Sequence, residues 1–180
     1  MSDQASLERW QPKYTAWRET AVPLVMAGEA KKAFASYPWY RTEGEPFAQL
    51  GKPVKEARVG LVTTGGYSIE GVQEPFKPMP NFDGSTPGIH AIPLDVDTEK
   101  LRIDHPGYPH RFADEDINVN LPLDRLRELE AAGEIASLSP ETQVLMGLAP
   151  DVEPLLRGTI PALVDRFKSD SVEAALLVPS

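Results

Sequence analysis

Val59-Gly60-Leu61-Val62-Thr63-Thr64-Gly65-Gly66 is an apolar, β-branched run that stops on two glycines. Polar residues do not alternate with apolar ones along it. That is the profile of a strand covered on both faces, as in a parallel sheet, rather than one with a wet side. The glycines predict a tight loop at the strand's carboxyl end. Ala174-Ala175-Leu176-Leu177-Val178, followed by Pro179-Ser180, has the same character and predicts a second buried parallel strand.

Helical spacing lies between them. Leu123, Leu126 and Leu129, with Pro122 in front and Gly133 behind, predict a helix over 122–132. Val152, Leu155, Leu156, Ile160, Leu163, Val164 and Phe167 predict another over 152–168, kinked or split by Gly158 and Pro161. Ile135, Leu138 and Val144 to Met146 form a further buried piece. Residues 67–104 are rich in Gly and Pro, with short extended pieces expected at Ile89–Leu94 and Lys100–Ile103. A loop of that length in a compact domain is usually functional or hides regular elements. Strand, irregular region, helices and strand together predict an α/β fold with a parallel, Rossmann- or flavodoxin-like sheet.

Upstream, Leu7, Trp10, Tyr14 and Trp17 share one helical face, interrupted by Pro12 and Pro23. They predict an arm laid over the core or over another subunit, and Tyr37 to Pro53 reads as extended connection. The expected organisation is an N-terminal helical arm and linker over residues 1–45 and a partial α/β domain over 46–180.

The 180 residues carry 18 Lys plus Arg against 27 Asp plus Glu, a net charge of −9. Such a charge repels phosphate backbones, and the longest basic cluster is Lys31-Lys32, so nucleic-acid binding is not expected. No apolar run approaches the roughly 20 residues of a membrane span, and the first ten residues lack a signal-peptide core. A soluble, cytoplasmic protein is the expectation. There is no cysteine, which removes disulfides, thiolate metal sites and cysteine nucleophiles from this stretch of chain.

Two places concentrate potential chemistry. Gly65-Gly66 stands where open α/β sheets place ligands, and reads either as a backbone approach to a ligand or as a structural turn. GxGxxG, GK[ST] and GxSxG are all missing, so neither nucleotide binding nor serine hydrolysis has motif support. His105 and His110 sit among Asp104, Asp114, Glu115, Asp116 and Asn118. Imidazole with carboxylate suits proton transfer or metal ligation. The spacing fits no zincin pattern, no metal is expected, and a solvated acidic loop is the other reading.

Several segments in order carry a resemblance: Leu61-Val62-Thr63-Thr64-Gly65-Gly66-Tyr67, Arg102-Ile103-Asp104-His105-Pro106-Gly107-Tyr108, Asp116-Ile117-Asn118-Val119-Asn120-Leu121-Pro122-Leu123-Asp124-Arg125-Leu126, Gly133-Glu134-Ile135-Ala136 and Met146-Gly147. Together they resemble the selenoprotein B family of glycine, sarcosine, betaine and D-proline reductases, over about Pro46 to Ser180. The resemblance implies reductive C–N cleavage of a small amine or amino-acid substrate. It implies selenocysteine or cysteine directly after the strand that ends at Pro179-Ser180, with a second cysteine following. It also implies a partner subunit bearing a pyruvoyl group, and assembly into a homo-oligomer is expected. His105, Asp116 and Asn118 match family positions and are carried over as catalytic or site-lining residues, with Gly65, Gly66 and Ser180 at the substrate.

A UGA codon read as stop after Ser180 would account for the missing nucleophile, and that is the expectation. The other reading, from a different class, is a non-catalytic small-molecule-binding or subunit-interaction domain complete at Ser180. Asp116 and Asn118 have a second reading too, as residues that cap and shape the loop before the Pro122 helix.

Overall fold

The computed structural model describes residues 2–42, 44, 47–77 and 81–180. The expected boundary between residues 45 and 46 falls on Glu45 and Pro46, outside the described residues.

The chain opens with α1 (Ser2–Met26) and α2 (Ala30–Phe34). Helix α1 runs through Pro12 and Pro23 without a break. A proline inside a helix costs about 3 kcal/mol, and what offsets it is aromatic packing. Trp10 stacks on Tyr14 with ring centroids 4.7 Å apart, and Trp17 meets Tyr37 edge-on at 4.9 Å. The Trp17 indole N–H donates to the Ala33 carbonyl at 2.9 Å, which seats α2 against α1. Phe82 joins this cluster, and Val152 and Leu156 pack against it, so the arm lies over its own chain.

Strand β1 (Arg58–Thr63) is central. It is followed by β2 (Tyr67–Ile69), β3 (His90–Pro93) and β4 (Leu101–Ile103), the last two within the expected extended pieces. Helix α3 (Arg111–Glu115) leads to α4 (Leu123–Ala131), and β5 (Ser137–Leu138) and β6 (Glu141–Val144) come next. Helix α5 (Val152–Pro154) continues through a π-helical turn at Leu155–Thr159 into α6 (Ile160–Ser169), and β7 (Ala174–Val178) closes the order. The fold is α/β, with an N-terminal helical arm and a mixed, mostly parallel sheet.

Strand β1 pairs in parallel with β5 and then β6 along one edge, and with β7 along the other. β3 adds to β6 antiparallel, and β2 and β4 form a separate two-stranded ribbon. Strand side chains alternate between faces. Val59 and Leu61 join Leu121, Leu123 and Leu126 in one core, while Val62 joins Leu163 on the opposite face, with Phe167 packed against it. Gly60 on that second face is needed for its missing side chain, because a Cβ there would lie 2.8 Å from the Phe167 ring.

Strand β7 departs from the expectation of burial. Leu177 is 67% exposed and Leu176 40%, because β7 is a sheet edge that, among the described residues, pairs only with β1. The predicted 152–168 helix is divided at its π-helical turn. Gly158 lies there because a Cβ would stand 2.7 Å from the Thr86 methyl.

Candidate functional site

Strands β1 and β7 end side by side. The Thr64 N–H donates to the Val178 carbonyl at 3.1 Å, and the Ser180 N–H donates to Thr64 Oγ1 at 2.8 Å. Beyond β6 the chain continues extended, the Gly147 N–H donating to the Thr64 carbonyl at 3.1 Å. This is the carboxyl end of the parallel strands, where open α/β sheets hold ligands.

Gly66 adopts φ +67°, a left-handed conformation that disfavours a side chain. It accepts a bond from the Asp104 N–H at 2.8 Å, which delivers His105 to the turn. Three glycines crowd this histidine: a Cβ would lie 2.9 Å from His105 Cβ at Gly66, 2.7 Å from Cε1 at Gly107 and 3.0 Å from Nε2 at Gly147. The same Cβ on Gly147 would lie 3.2 Å from the carbonyl oxygens of both Ser180 and Thr64. His105 Nε2, Ser180 and the end of β1 thus surround one glycine.

The protonation of His105 follows from its bonds. The Gly107 N–H donates to Nδ1 at 2.9 Å, so the neutral ring carries its proton on Nε2, toward Gly147. Burial, followed by the nearby His110 ring, pushes its pKa below the ordinary histidine value. The ring is therefore a neutral N–H donor near pH 7, suited to an anion. His110 Nε2 donates to the His105 carbonyl at 2.6 Å and fixes the segment from behind. The Tyr108 hydroxyl donates to the Gly65 carbonyl at 2.9 Å, and the Tyr67 hydroxyl donates to Asn120 Oδ1. Thr63 Oγ1 donates to the Asn120 carbonyl at 2.6 Å and accepts from the Gly65 N–H at 3.0 Å.

Gly65, Gly66, His105 and Ser180 are therefore brought together. Asp116 and Asn118 are placed at the start of α4. Asp116 Oδ1 accepts from the Asn118 N–H at 2.9 Å and from its Nδ2 at 2.8 Å, while Asn118 Oδ1 accepts from the Asp124 N–H at 3.0 Å. Both line a cavity of about 710 Å³ that borders the glycine turn through Tyr67 and His110. Among the described residues no group of three or more His, Cys, Asp or Glu could hold a metal ion.

Thr64, Gly147 and Asp104 were not singled out as site residues from sequence. Asp104 was legible only as part of the histidine segment. Its Oδ2 accepts from Ser68 Oγ at 2.7 Å and from the Phe76 N–H at 2.9 Å, and its Oδ1 from Arg102 Nε at 3.1 Å. It ties the ribbon and the Phe76 loop to the residue beside His105.

The class is that of an α/β protein with a glycine-seated histidine at the end of its central strand. The particular family follows from comparison. A profile of the glycine/sarcosine/betaine reductase selenoprotein B family matches residues 21–179, and the chain belongs to that family. The match begins inside α1, upstream of Pro46 where the motif resemblance begins. The chain is similar to D-proline reductase subunit gamma of Acetoanaerobium sticklandii, at 29% identity over 126 residues. That alignment covers 70% of this chain and 50% of the relative, so it spans half of the relative's length. No solved structure matches. No described helix is long and apolar enough to cross a membrane.

Proposed function

We propose that this chain forms the substrate- and nucleophile-holding part of a selenol- or thiol-dependent reductase that cleaves a C–N bond of a small amine or amino acid. The observation that carries the reading is the seat at Gly147, where His105 Nε2 and the Ser180 carbonyl face the same missing side chain. A residue following Ser180 would emerge beside the Nε2 proton. A selenol or thiol there, with a second thiol, supplies the nucleophile and the two electrons that replace the C–N bond with C–H.

The chain's own residues have definable parts in this. Ser180 is held to Thr64 by its main-chain N–H, which fixes where the following residue leaves the sheet. His105 donates from Nε2 and so favours the anionic form of the nucleophile, as hydrogen-bond donors do for a thiolate. Gly65 and Gly66 make room for the Tyr67 ring and for His105, a Cβ on them lying 2.7 Å from Tyr67 Cε2 and 2.9 Å from His105 Cβ, and so shape the turn beside which we place the substrate. Asp116 and Asn118 bond each other and the first turn of α4, and act by shaping the loop that follows the histidine segment. A partner subunit belongs to the proposal, since the relative is named as one subunit, and the resemblance makes a pyruvoyl group on that partner the expectation. We place the protein in the cytoplasm, where thiols and selenols stay reduced.

The test is to extend the chain past Ser180 with a cysteine and measure iodoacetamide labelling against pH. The expected thiol has a pKa below that of free cysteine, and His105→Gln raises it. A thiol of ordinary reactivity, indifferent to His105, would overturn the reading.

A further inference from the structure

Asn120, two residues beyond Asn118 in the same motif, is the one that reaches the glycine turn. It is 5% exposed, and Leu121 and Leu123 after it are fully buried, so its backbone is anchored in the main core. Two hydroxyls converge on it. Thr63 Oγ1 donates to its main-chain carbonyl at 2.6 Å, and the Tyr67 hydroxyl donates to its Oδ1.

A carbonyl only accepts, and that fixes the direction of the bonds beyond it. Thr63 has to donate to Asn120, which turns the hydroxyl's lone pairs to the Gly65 N–H, bonded at 3.0 Å. On the other side of the same glycine the Tyr108 hydroxyl donates to the Gly65 carbonyl at 2.9 Å. Both polar groups of Gly65 are therefore held by hydroxyls, one of which Asn120 orients. The Tyr67 ring is a third hold, since a Cβ on Gly65 would lie 2.7 Å from its Cε2. Tyr67 is 1% exposed, and Asn120 Oδ1 is the acceptor that keeps its hydroxyl, and with it the ring, against the turn.

From Gly65 the constraint passes to His105. Gly66 accepts the Asp104 N–H at 2.8 Å and stands against His105 Cβ. A tilt of the Gly65–Gly66 peptide moves the acceptor to which the histidine segment is tied. Tyr108, with its ring centroid 5.0 Å from that of His105, and His110, bonded to the His105 carbonyl, belong to the same segment and move with it. The fixed reference is the turn.

We infer that Asn120 is a positioning residue, which presets the Gly65–Gly66 turn and thereby decides where the His105 imidazole stands. A buried network acts as a unit, each bond depending on the direction of the next, and removing one acceptor leaves a buried hydroxyl unpaired. The inference concerns the seat of His105 and holds without the reductase reading; its effect on a nucleophile rests on that reading.

The test is a pH titration of the His105 ring by NMR in the chain as it stands. Buried in its seat, the parent ring titrates below the ordinary value of about 6.5. Asn120→Ala is expected to move its resonances and raise its pKa toward that value, because a loosened turn lets water reach the ring. Thr63→Val keeps the shape, removes the hydroxyl and is expected to act in the same direction. Asn118→Ala cuts the bonds to Asp116 and Asp124 instead and should leave His105 unmoved. The double variant Asn120→Ala, Tyr67→Phe leaves no Tyr67 hydroxyl unpaired. Its urea midpoint should recover part of the loss while the His105 titration stays displaced.

A His105 titration like the parent's in both Asn120→Ala and Thr63→Val overturns the inference. So does an equal shift in Asn118→Ala, or a return to the parent titration in the double variant. If Asn120→Ala fails to fold, Thr63→Val and Tyr67→Phe decide: a displaced His105 in either supports the role, and an unmoved one in both removes it. A cysteine placed after Ser180 should label up to about tenfold more slowly at pH 7 in Asn120→Ala, the equivalent of one pKa unit. A displaced His105 with a thiol of ordinary reactivity in the parent removes the reductase reading alone. A thiol that depends on His105, with His105 unmoved in these variants, removes the role of Asn120 alone.

Discussion

The main-chain N–H of Ser180 donates to the side chain of Thr64 at 2.8 Å, while the N–H of Thr64 donates to the carbonyl of Val178 at 3.1 Å. The end of β1 and the residues after β7 are thereby clamped to each other. Thr64→Val keeps the shape and removes the acceptor. It should cost about 1 kcal/mol and speed amide exchange at Ser180 while leaving exchange in β1 unchanged. Equal exchange at Ser180 in parent and variant would show that the clamp holds nothing.

Gly147 carries no backbone strain, so Gly147→Ala reports on space alone. The new methyl meets His105 Nε2 at 3.0 Å and two carbonyl oxygens at 3.2 Å. We expect a loss of about 1–3 kcal/mol in denaturant unfolding and a shifted His105 ring resonance. Gly66→Ala should cost more, since it adds a left-handed φ to a 2.9 Å approach to His105 Cβ. A Gly147→Ala protein with an unmoved His105 resonance would place the imidazole elsewhere.

His105 also sets a pH dependence. Burial and the neighbouring His110 hold its pKa below the ordinary value, so the folded chain binds this proton more weakly than the unfolded chain. The unfolded chain takes the proton up as pH falls through about 6.5. The contribution of this group to stability is therefore whole above that pH and is lost as pH falls through it. Asp116 and Asp124, lowered first by their bonds to Asn118, respond only below about pH 4, so the windows are separate. Urea midpoints between pH 7.5 and 5 should fall for the parent and fall less for His105→Gln. Parallel curves would contradict the assignment.

Asn118 offers a way to separate scaffold from site. Its amide joins Asp116 and Asp124 at the head of α4. Asn118→Ala should cost about 1–2 kcal/mol and leave the labelling rate of a thiol placed after Ser180 unchanged. A slowed thiol with unchanged stability would instead put Asn118 in the chemistry.

Leu177 on β7 is 67% exposed, and the outer edge of that strand pairs with no other strand among the described residues. Exposed edges recruit other chains. Sedimentation should show self-association of the isolated chain, and Leu177→Lys should shift it toward monomer. A parent that sediments as monomer at all concentrations would contradict this.

The two parallel strands were legible as unbroken apolar runs, although only β1 is buried on both faces, and Pro122 with Gly133 marked α4 through backbone chemistry. What escaped depends on partners far along the chain. Nothing local tells that Pro12 and Pro23 will be carried inside α1, since the compensation comes from Phe34, Tyr37 and Phe82. The split near Gly158 was legible from the glycine itself, whereas its partner Thr86 was not. The exposure of Leu177 reflects what stands beside β7 rather than its own composition. Of the site, the glycine turn and His105 were readable as unusual residues in unusual places. Thr64 and Gly147 look ordinary until the fold sets them against Ser180.

Strand β1 is the common neighbour of β5, β6 and β7, and its pairings are all distant in sequence. Arg58 Nε reaches Ser137 Oγ across 79 residues, and the Arg58 N–H reaches Glu173 across 115. A ribosome making this chain from its N-terminus therefore exposes the most β-prone segment long before any of its partners exist. The aromatic arm can close on α2 at once, but the sheet has to wait for most of the polypeptide. Assembly of the site should accordingly be among the last steps of folding, slow because of its topology. Until then Val59 to Thr63 is the segment most in need of a chaperone.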